Sequence, residues 1–378
     1  MALAFYDKYR PKSLKEVCGQ DVIKAILGNQ VASNEVSHAY LFTGPAGTGK
    51  TTLARILAAM INCKTGLCKE PPKDDPFSSI ILSNRPHMDI YEIDAASNRG
   101  IEDAKKLREI VFCPPIEMRK RIFIIDECHR LTPEAWDVLL KVLEEPPSYV
   151  IFMFCTTELN KVKDTIQTRC QCFRFKPLGM DEMVSYLKNL AFQEKILADD
   201  EVFTLLAAAA HGSLRDAISN LDLIKSTGAA RITSAIASNV IGIPSRETVK
   251  KFVACAVKGD YAGGISYGAS AIGIGVPAED FIRAVAEFVH DLMMCDGTGY
   301  DFQKNGCSAE EAAKMPQIYQ KLVDMVGQEN YRPVIREWIG KLDESYKMTI
   351  FNLQPQCQVN VVFLDMLRVF KKYIKKPA

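Results

Sequence analysis

Residues 44–51 read Gly-Pro-Ala-Gly-Thr-Gly-Lys-Thr, the pattern G-x-x-x-x-G-K-[ST], and few short stretches restrict a fold so tightly. Gly44, Gly47 and Gly49 let successive backbone N–H groups turn towards one point, a concavity suited to phosphate oxygens. Lys50 reaches the β- and γ-phosphates of a nucleotide, and Thr51 offers its hydroxyl to Mg²⁺. Pro45, Ala46, Thr48 and Thr52 fill out the loop and the first helical turn, so residues 44–52 together are read as nucleotide-contacting. Phosphate binding of this kind needs a strand before the loop and a helix after it. Both are legible: Ala39-Tyr40-Leu41-Phe42-Thr43 is a candidate buried strand, and Leu53, Ile56, Leu57, Met60 and Ile61 recur at helical spacing.

A second motif completes the pair. Asp126-Glu127-Cys128-His129 closes the apolar run Ile122-Phe123-Ile124-Ile125. An aspartate at the carboxyl end of a buried strand is placed to hold Mg²⁺, and the adjacent Glu127 can polarise an attacking water. The competing reading, a helix-capping acidic pair, is weak, because Thr132-Pro133-Glu134 supplies its own start signal for the next helix. That helix carries Trp136, Leu139, Leu140 and Leu143 on one face and stops at Pro146-Pro147.

Apolar runs with strand character near 39–43, 88–93, 121–125, 150–155 and 171–175 alternate with helical patterns, which predicts a parallel α/β sheet. After Lys176-Pro177-Leu178 the periodicity is helical only, with one stripe through Met183, Tyr186, Leu187 and Leu190 and another through Phe203, Leu205, Leu206 and Ala209. Ile241-Gly242-Ile243-Pro244-Ser245 reads as a linker, and helical patterns such as Phe281, Val285, Phe288, Val289 and Leu292 follow it. The expected division is a nucleotide-binding α/β domain at 1–177, a small helical domain at 178–242 and an all-α domain at 243–378. With 378 residues and 48% hydrophobic side chains there is enough apolar material for these cores.

The 47 basic side chains are balanced by 46 acidic ones, so any nucleic-acid contact must come from a local patch. No apolar run reaches the length of a membrane span and the N-terminus lacks a signal-peptide core, so a cytoplasmic location without membrane contact is expected. The 12 cysteines follow no disulfide rhythm, and Cys155, Cys255 and Cys295 sit in apolar stretches as small reduced core residues. Cys63 and Cys68 could open a zinc site, but only a lone His87 offers itself as a further ligand. The Lys371-Lys372-Tyr373-Ile374-Lys375-Lys376 end reads as a solvated tail.

Several further stretches are specific in combination: Tyr9-Arg10-Pro11, Val17-Cys18-Gly19-Gln20, His38-Ala39-Tyr40-Leu41-Phe42, Glu92-Ile93-Asp94-Ala95-Ala96-Ser97, and Leu139-Leu140-Lys141 running into Leu143-Glu144-Glu145-Pro146-Pro147. With the two motifs they resemble the AAA+ ATPases, and among these the clamp-loader ATPases of the gamma/tau type of bacterial DNA polymerase III. The resemblance implies an AAA+ P-loop domain with a five-stranded parallel sheet, a small helical lid and an all-α collar through which subunits form a ring of about five. It implies ATP and Mg²⁺ as ligands. The implied partners are delta- and delta-prime-like subunits, a sliding clamp and primer-template DNA. By the same resemblance Thr157 matches sensor 1, Arg215 in Gly212-Ser213-Leu214-Arg215-Asp216-Ala217 matches sensor 2, and Arg169 in Thr168-Arg169-Cys170 matches an arginine finger that serves the neighbouring subunit's ATP. Tyr9, Arg10, Pro11 and Gln20 would border the adenine. Asn98, Arg99, Lys105 and Arg108 lie where related loaders follow the DNA backbone, with Lys141 a second candidate of that kind, although Glu102, Asp103 and Glu109 dilute the charge.

The chain departs from the family in two respects. The family's four-cysteine zinc module is represented only by Cys63 and Cys68, so zinc does not carry over. Nothing like the long tau extension follows residue 378, which suits a short gamma-like form of bacterial or viral origin, or a shortened chain. Three rival readings remain. A superfamily 2 helicase needs a second α/β motor domain. Another oligomeric AAA+ DNA motor, such as a branch-migration motor, needs a winged-helix module at the C-terminus. A ring subunit that binds nucleotide for shape alone would have no turnover of its own.

Overall fold

The computed structural model describes residues 3–83, 85–97, 100–295, 309–348 and 354–374. They divide into two compact units, the first made of residues 1–186 and 210–219 and the second of 187–209 and 220–378.

In the first unit the five apolar runs form five parallel strands, β1 (Ala39–Thr43), β2 (Ile90–Asp94), β3 (Arg121–Asp126), β4 (Val150–Thr156) and β5 (Gln171–Arg174), in the order β2-β3-β4-β1-β5. β1 and β4 are buried along their whole length and β3 up to its last residue, as expected of central strands covered by helices on both faces. Alternation then sorts the side chains. Tyr40, Phe42, Ile122 and Ile124 face the helix Lys50–Ile61, whose residues from Leu53 to Ile61 are all buried. On the opposite face Leu41, Phe123, Ile125, Phe152 and Phe154 pack with Trp136, Leu139 and Leu143. The rings of Tyr91, Phe123 and Phe152 stack across neighbouring strands at 5.1 and 5.2 Å, which fixes their register as well as burying area. Thr43 stands opposite Thr156 and Asp94 opposite Asp126, so the carboxyl ends finish at one rim of the sheet.

The helix Pro133–Glu144 starts where the sequence signals it, with the Thr132 hydroxyl accepting the Ala135 N–H. Its buried face is Trp136, Leu139, Val142 and Leu143, and Leu140 is half-buried.

One buried carboxylate organises the segment that leads into β3. Asp89, fully buried just before β2, accepts the N–H groups of Ile116, Glu117 and Met118 at 2.9, 2.9 and 3.0 Å and a guanidinium N–H of Arg121 at 3.1 Å. It thereby ties the segment leading into β3 to the start of β2. Burial alone pushes its pKa up, but the three amides and Arg121 outweigh burial and leave it below the ordinary carboxylate value.

The second unit is helical throughout its described residues. A buried aromatic cluster of Phe252, Phe281, Trp338, Phe363 and Phe370 forms its centre. Gly264 allows close approach there: a Cβ at that position would lie 2.0 Å from Cε2 of Phe363, so the ring packs directly on helix backbone. The segment 242–245 forms a turn inside this unit, with left-handed Gly242 ending the helix Ser234–Ile241 and the Ser245 side chain capping Arg246–Lys258. The stripe expected through Phe203 is rotated. In the helix Asp200–Ala209 the buried residues are Val202, Phe203, Leu206 and Ala207, whereas Leu205 and Ala209 are half-buried. An alanine-rich helix has several nearly equivalent apolar faces, and periodicity alone selects poorly among them.

Among the described residues no strand follows β5, so neither the second sheet of a helicase nor the hairpin of a winged helix is found there. No described helix is long and apolar enough to cross a membrane.

The Asp89 cage predicts a specific weakness. Asp89→Asn, which cannot accept from three amides and a guanidinium together, is expected to destabilise the fold by about 3 kcal/mol in urea unfolding. Because the folded carboxyl titrates below its unfolded value of about 3.9, its contribution is full above that pH and is lost as pH falls through the folded value. The Asn variant should therefore lose less stability than the parent on acidification over that range.

Candidate nucleotide site

The glycine loop joins β1 to the helix Lys50–Ile61, and each of its glycines is left-handed, with φ of 149° at Gly44, 69° at Gly47 and 96° at Gly49. Two of them are also fixed by crowding. A Cβ on Gly44 would stand 2.5 Å from the Phe175 carbonyl, and one on Gly47 would stand 2.0 Å from Ser213 Oγ and 3.2 Å from Arg215 Cβ. The Thr48 hydroxyl closes the loop on the Pro45 carbonyl at 2.8 Å. Lys50 is buried, and its ammonium donates to the Gly44 and Pro45 carbonyls at 2.9 and 2.8 Å. Burial pulls its pKa down, against the raising influence of Cys155, Glu127 and Asp126. A cation stripped of water in this way gains most from a multiply charged anion beside it.

Across the rim, the Thr51 hydroxyl donates to Asp126 Oδ2 at 2.8 Å. Hydroxyl and carboxylate at that separation, one from the loop helix and one from the end of β3, form an oxygen pair suited to a hard divalent cation. Glu127 adopts a left-handed backbone, φ 47°, which turns the chain out of β3. Its Oε2 accepts the Thr157 hydroxyl at 3.1 Å. Thr157 follows directly after β4, so the loops after β1, β3 and β4 each bring a side chain to one place.

Lys50, Thr51, Asp126 and Glu127 line a cleft of about 250 Å³ in the first unit, together with Tyr9, Arg10, Pro11, Ala46, Gly47, Gly49, Thr52 and Arg215, whereas Gly44, Pro45, Thr48 and Thr157 stand behind its lining. Four residues that sequence reasoning missed also line it: Tyr6, Arg55, Glu92 and Ile218. The Arg215 guanidinium lies 5.1 Å over the Tyr6 ring. Arg55 makes a two-pronged pair with Glu92 at 2.8 and 2.6 Å, joining the loop helix to β2. Burial and the neighbouring Arg55 hold the Arg10 pKa down despite Asp7 and Glu92. Lys50, Arg10, Arg55 and Arg215 thus gather at one cleft opposite Asp126, Glu127 and Glu92, with Asp7 also paired to Arg10 at 3.1 Å, an array of cations that a polyphosphate can meet. Arg55 did leave a signal, as a charge set between Leu53 and Ile56 on a helix otherwise apolar all round. Tyr6 left one only through its distance of one helical turn from Arg10.

The other expected residues are placed differently. Gln20 does not line the cleft; its amide is engaged by the Lys176 backbone, donating to the carbonyl at 2.7 Å and accepting from the N–H at 3.2 Å. Arg169 lies outside its own chain's cleft and is held by Glu144 Oε1 at 2.7 Å and the Thr165 carbonyl at 2.8 Å. Asn98 and Arg99 fall outside the described residues. Lys105 and Arg108 are exposed on the helix Ile101–Val111, and Lys141 is exposed on Pro133–Glu144. The sulfurs of Cys63 and Cys68 are 3.0 Å apart. His87, the third ligand that the sequence offered them, is instead engaged with Glu117 and the Asp89 N–H. Among the described residues no three His, Cys, Asp or Glu side chains gather as a metal site.

Comparison with known proteins gives a consistent result. Residues 19–179 match the family described as DNA polymerase III, delta subunit, and residues 182–223 match the DNA polymerase III clamp loader subunit, ATPase lid domain. The chain is 42% identical over 227 residues to the DNA polymerase III subunit gamma/tau of Mycoplasma pneumoniae, covering 59% of this chain and 33% of that protein. It is 39% identical over 265 residues to the subunit gamma/tau of Mycoplasma genitalium, covering 69% and 44%, and 37% identical over 236 residues to the subunit gamma of Buchnera aphidicola, covering 62% and 64%. The chain therefore spans from a third to just under two thirds of the length of these relatives. Among solved structures it resembles the RuvB Holliday junction branch migration motor of Thermotoga maritima, with a TM-score of 0.46, 20% identity and coverage of 65% of this chain and 79% of that one. It also resembles the DNA clamp loader delta protein of Bacillus subtilis, with a TM-score of 0.37, 12% identity and coverage of 91% and 99%.

Gly47 tests the cleft's geometry. Gly47→Ala is expected to weaken binding of a fluorescent ATP analogue by a factor of about ten or more, because both backbone strain and the clash with Ser213 oppose it. Fluorescence titration measures this, and far-ultraviolet circular dichroism should show an unchanged fold.

Proposed function

We propose that this chain, a relative of the gamma/tau subunits of bacterial DNA polymerase III with an AAA+ fold, is the ATP-hydrolysing subunit of a sliding-clamp loader. The observation that carries the reading is the convergence of Lys50, Thr51, Asp126 and Glu127 on one cleft, with Thr157 bonded to Glu127 behind it, while Arg169 stands outside. The first five are the chemistry of phosphoryl transfer to water. Glu127, held by Thr157, orients the attacking water and takes its proton. Lys50 and the loop N–H groups stabilise charge on the phosphoryl oxygens, and Arg215 covers them from the helix Leu214–Lys225. Thr51 and Asp126 would hold Mg²⁺, which when bound neutralises phosphate charge. Tyr9, Arg10 and Pro11 border the base. The reaction is ATP plus water to ADP plus phosphate.

Arg169 completes the site from a second subunit. Its guanidinium is about a third exposed and held by a single carboxylate, so a polyphosphate presented by a neighbour can compete for it. In this reading ATP binding closes a ring of about five subunits, including delta- and delta-prime-like ones, on a sliding clamp and a primer-template junction. Residues 178–242 act as the lid and 243–378 as the collar that holds the ring, and the location is cytoplasmic. Exposed Lys105, Arg108 and Lys141 contact DNA phosphates, reading backbone shape and not sequence. The contrasting possibility, a subunit that binds nucleotide only for shape, conflicts with a cleft that retains Glu127 and its Thr157 partner. Steady-state ATPase assays with and without primed DNA and clamp separate the two readings, since a loader is stimulated by both and a scaffold by neither.

Two substitutions test the assignments. Lys50→Ala is expected to lose nucleotide affinity by a factor of about a hundred, read by titration with a fluorescent analogue, as loss of a charge-assisted contact implies. Arg169→Ala should bind ATP almost as tightly as the parent yet lose most DNA-stimulated turnover in the assembled ring, by roughly 10³ if it behaves as other arginine fingers do. Unchanged stimulated turnover would sink the finger assignment.

A further inference from the structure

The run Asp126-Glu127-Cys128-His129 ends in a histidine to which the reaction above gives no task. His129 lies in the short turn Cys128–Arg130 after β3, and its side chain is only 6% exposed. Its two ring nitrogens each face a carboxylate. Nδ1 is 3.3 Å from Glu127 Oε2 and 3.0 Å from the Thr156 hydroxyl, and Nε2 is 3.3 Å from Glu158 Oε1. In either neutral tautomer, then, one ring N–H has a glutamate oxygen within reach. Glu158 is itself steadied, accepting from Lys161 at 2.8 Å while its own N–H donates to the Thr156 hydroxyl at 3.0 Å.

The carboxylate oxygen beside Nδ1 is the same Oε2 that receives the Thr157 hydroxyl. Glu127 Oε2 therefore accepts a hydroxyl from the exit of β4 and has an imidazole nitrogen of its own turn 3.3 Å away, a nitrogen that also meets the Thr156 hydroxyl. The Glu127 backbone makes such contacts necessary. A left-handed non-glycine residue costs of order 1–3 kcal/mol and persists only where its surroundings fix it. Without lateral support the carboxylate of a residue about a third exposed would sample several rotamers.

We propose that His129 is a positioning residue for Glu127. In the tautomer that carries its hydrogen on Nδ1, its N–H has Oε2 within reach at 3.3 Å, holds that oxygen, and so leaves Oε1 as the oxygen that works on water. The inference rests on the hydrolytic reading of the site, and His129 touches neither nucleotide nor water.

The test uses the full chain assembled in its ring with primed DNA and clamp, measuring single-turnover ATP hydrolysis and, separately, nucleotide affinity. His129→Ala is expected to slow the chemical step tenfold or more while ATP affinity stays within twofold. His129→Asn, whose amide N–H sits near the place of Nδ1, should recover most of the rate. In the Glu127→Gln background, His129→Ala should add no further loss, because the residue it serves is already disabled. Brisk hydrolysis in His129→Ala would overturn the inference and leave the loader reading intact. So would equal losses in the Ala and Asn variants that add to the Glu127→Gln loss, the pattern of a merely structural histidine. An assembled ring of the parent chain that binds ATP and never hydrolyses it, with DNA and clamp present, would overturn both.

Discussion

The hydrogen bond between Thr51 and Asp126 joins two residues that the chain brings together only because β1 and β3 flank β4 in a parallel sheet. Register does the rest. With Thr43 level with Thr156 and β3 ending beside them, the turns after all three strands open on the same rim, where ligands of open α/β sheets bind. A slip of one residue in any of these pairings would exchange the two faces of a strand and bury polar groups in the aromatic stacks. The stacked rings of Tyr91, Phe123 and Phe152 therefore guard the chemistry from about the middle of the sheet, without touching the cleft.

Electrostatics in the cleft favour a polyanion before any is considered. Lys50 is desolvated and satisfied only by carbonyls, a poor substitute for phosphate oxygens. Arg10 and Arg215 add charge that Asp126, Glu127 and Glu92 do not balance, whereas Arg55 is committed to Glu92 and serves to fix the loop helix against β2. A buried two-pronged pair of this kind costs desolvation, and its value lies in geometry: it sets where the helix begins relative to the sheet, and hence where Lys50 and Thr51 stand.

How much was legible in the sequence depends on how local the signal was. The five strands, the glycine loop, the Asp126-Glu127 pair and the Thr132 cap are written in contiguous residues, and the structure has each where the pattern puts it. The rotated stripe of the helix Asp200–Ala209 was not, because alanine-rich periodicity is nearly degenerate. Asp89 was missed for another reason. Three of its four partners are backbone amides 27 to 29 positions away, which no residue type announces, and the fourth is the Arg121 guanidinium 32 positions away. Gln20 shows the converse, a residue expected beside the base whose amide is taken up by the distant Lys176 backbone. Tyr6 and His129 lie within a few positions of recognised motifs, yet their roles depend on what faces them, Arg215 in one case and the Glu127 carboxylate in the other.

The placement of Arg169 bears on why such a site would be divided between subunits. On the proposed reading, one chain would supply the groups that hold nucleotide and aim water, whereas Arg169, the proposed finger, is paired with Glu144 outside its own cleft. An exposed pair of this kind contributes little to stability, of order 0–1 kcal/mol, so giving it up for a neighbour's phosphates costs little. The large term lies on the other side, in the rate that a finger confers once it is aligned. In the proposed ring, a weak resting contact and a strong catalytic one would together make turnover depend on how subunits meet, with no need for either chain to change its fold.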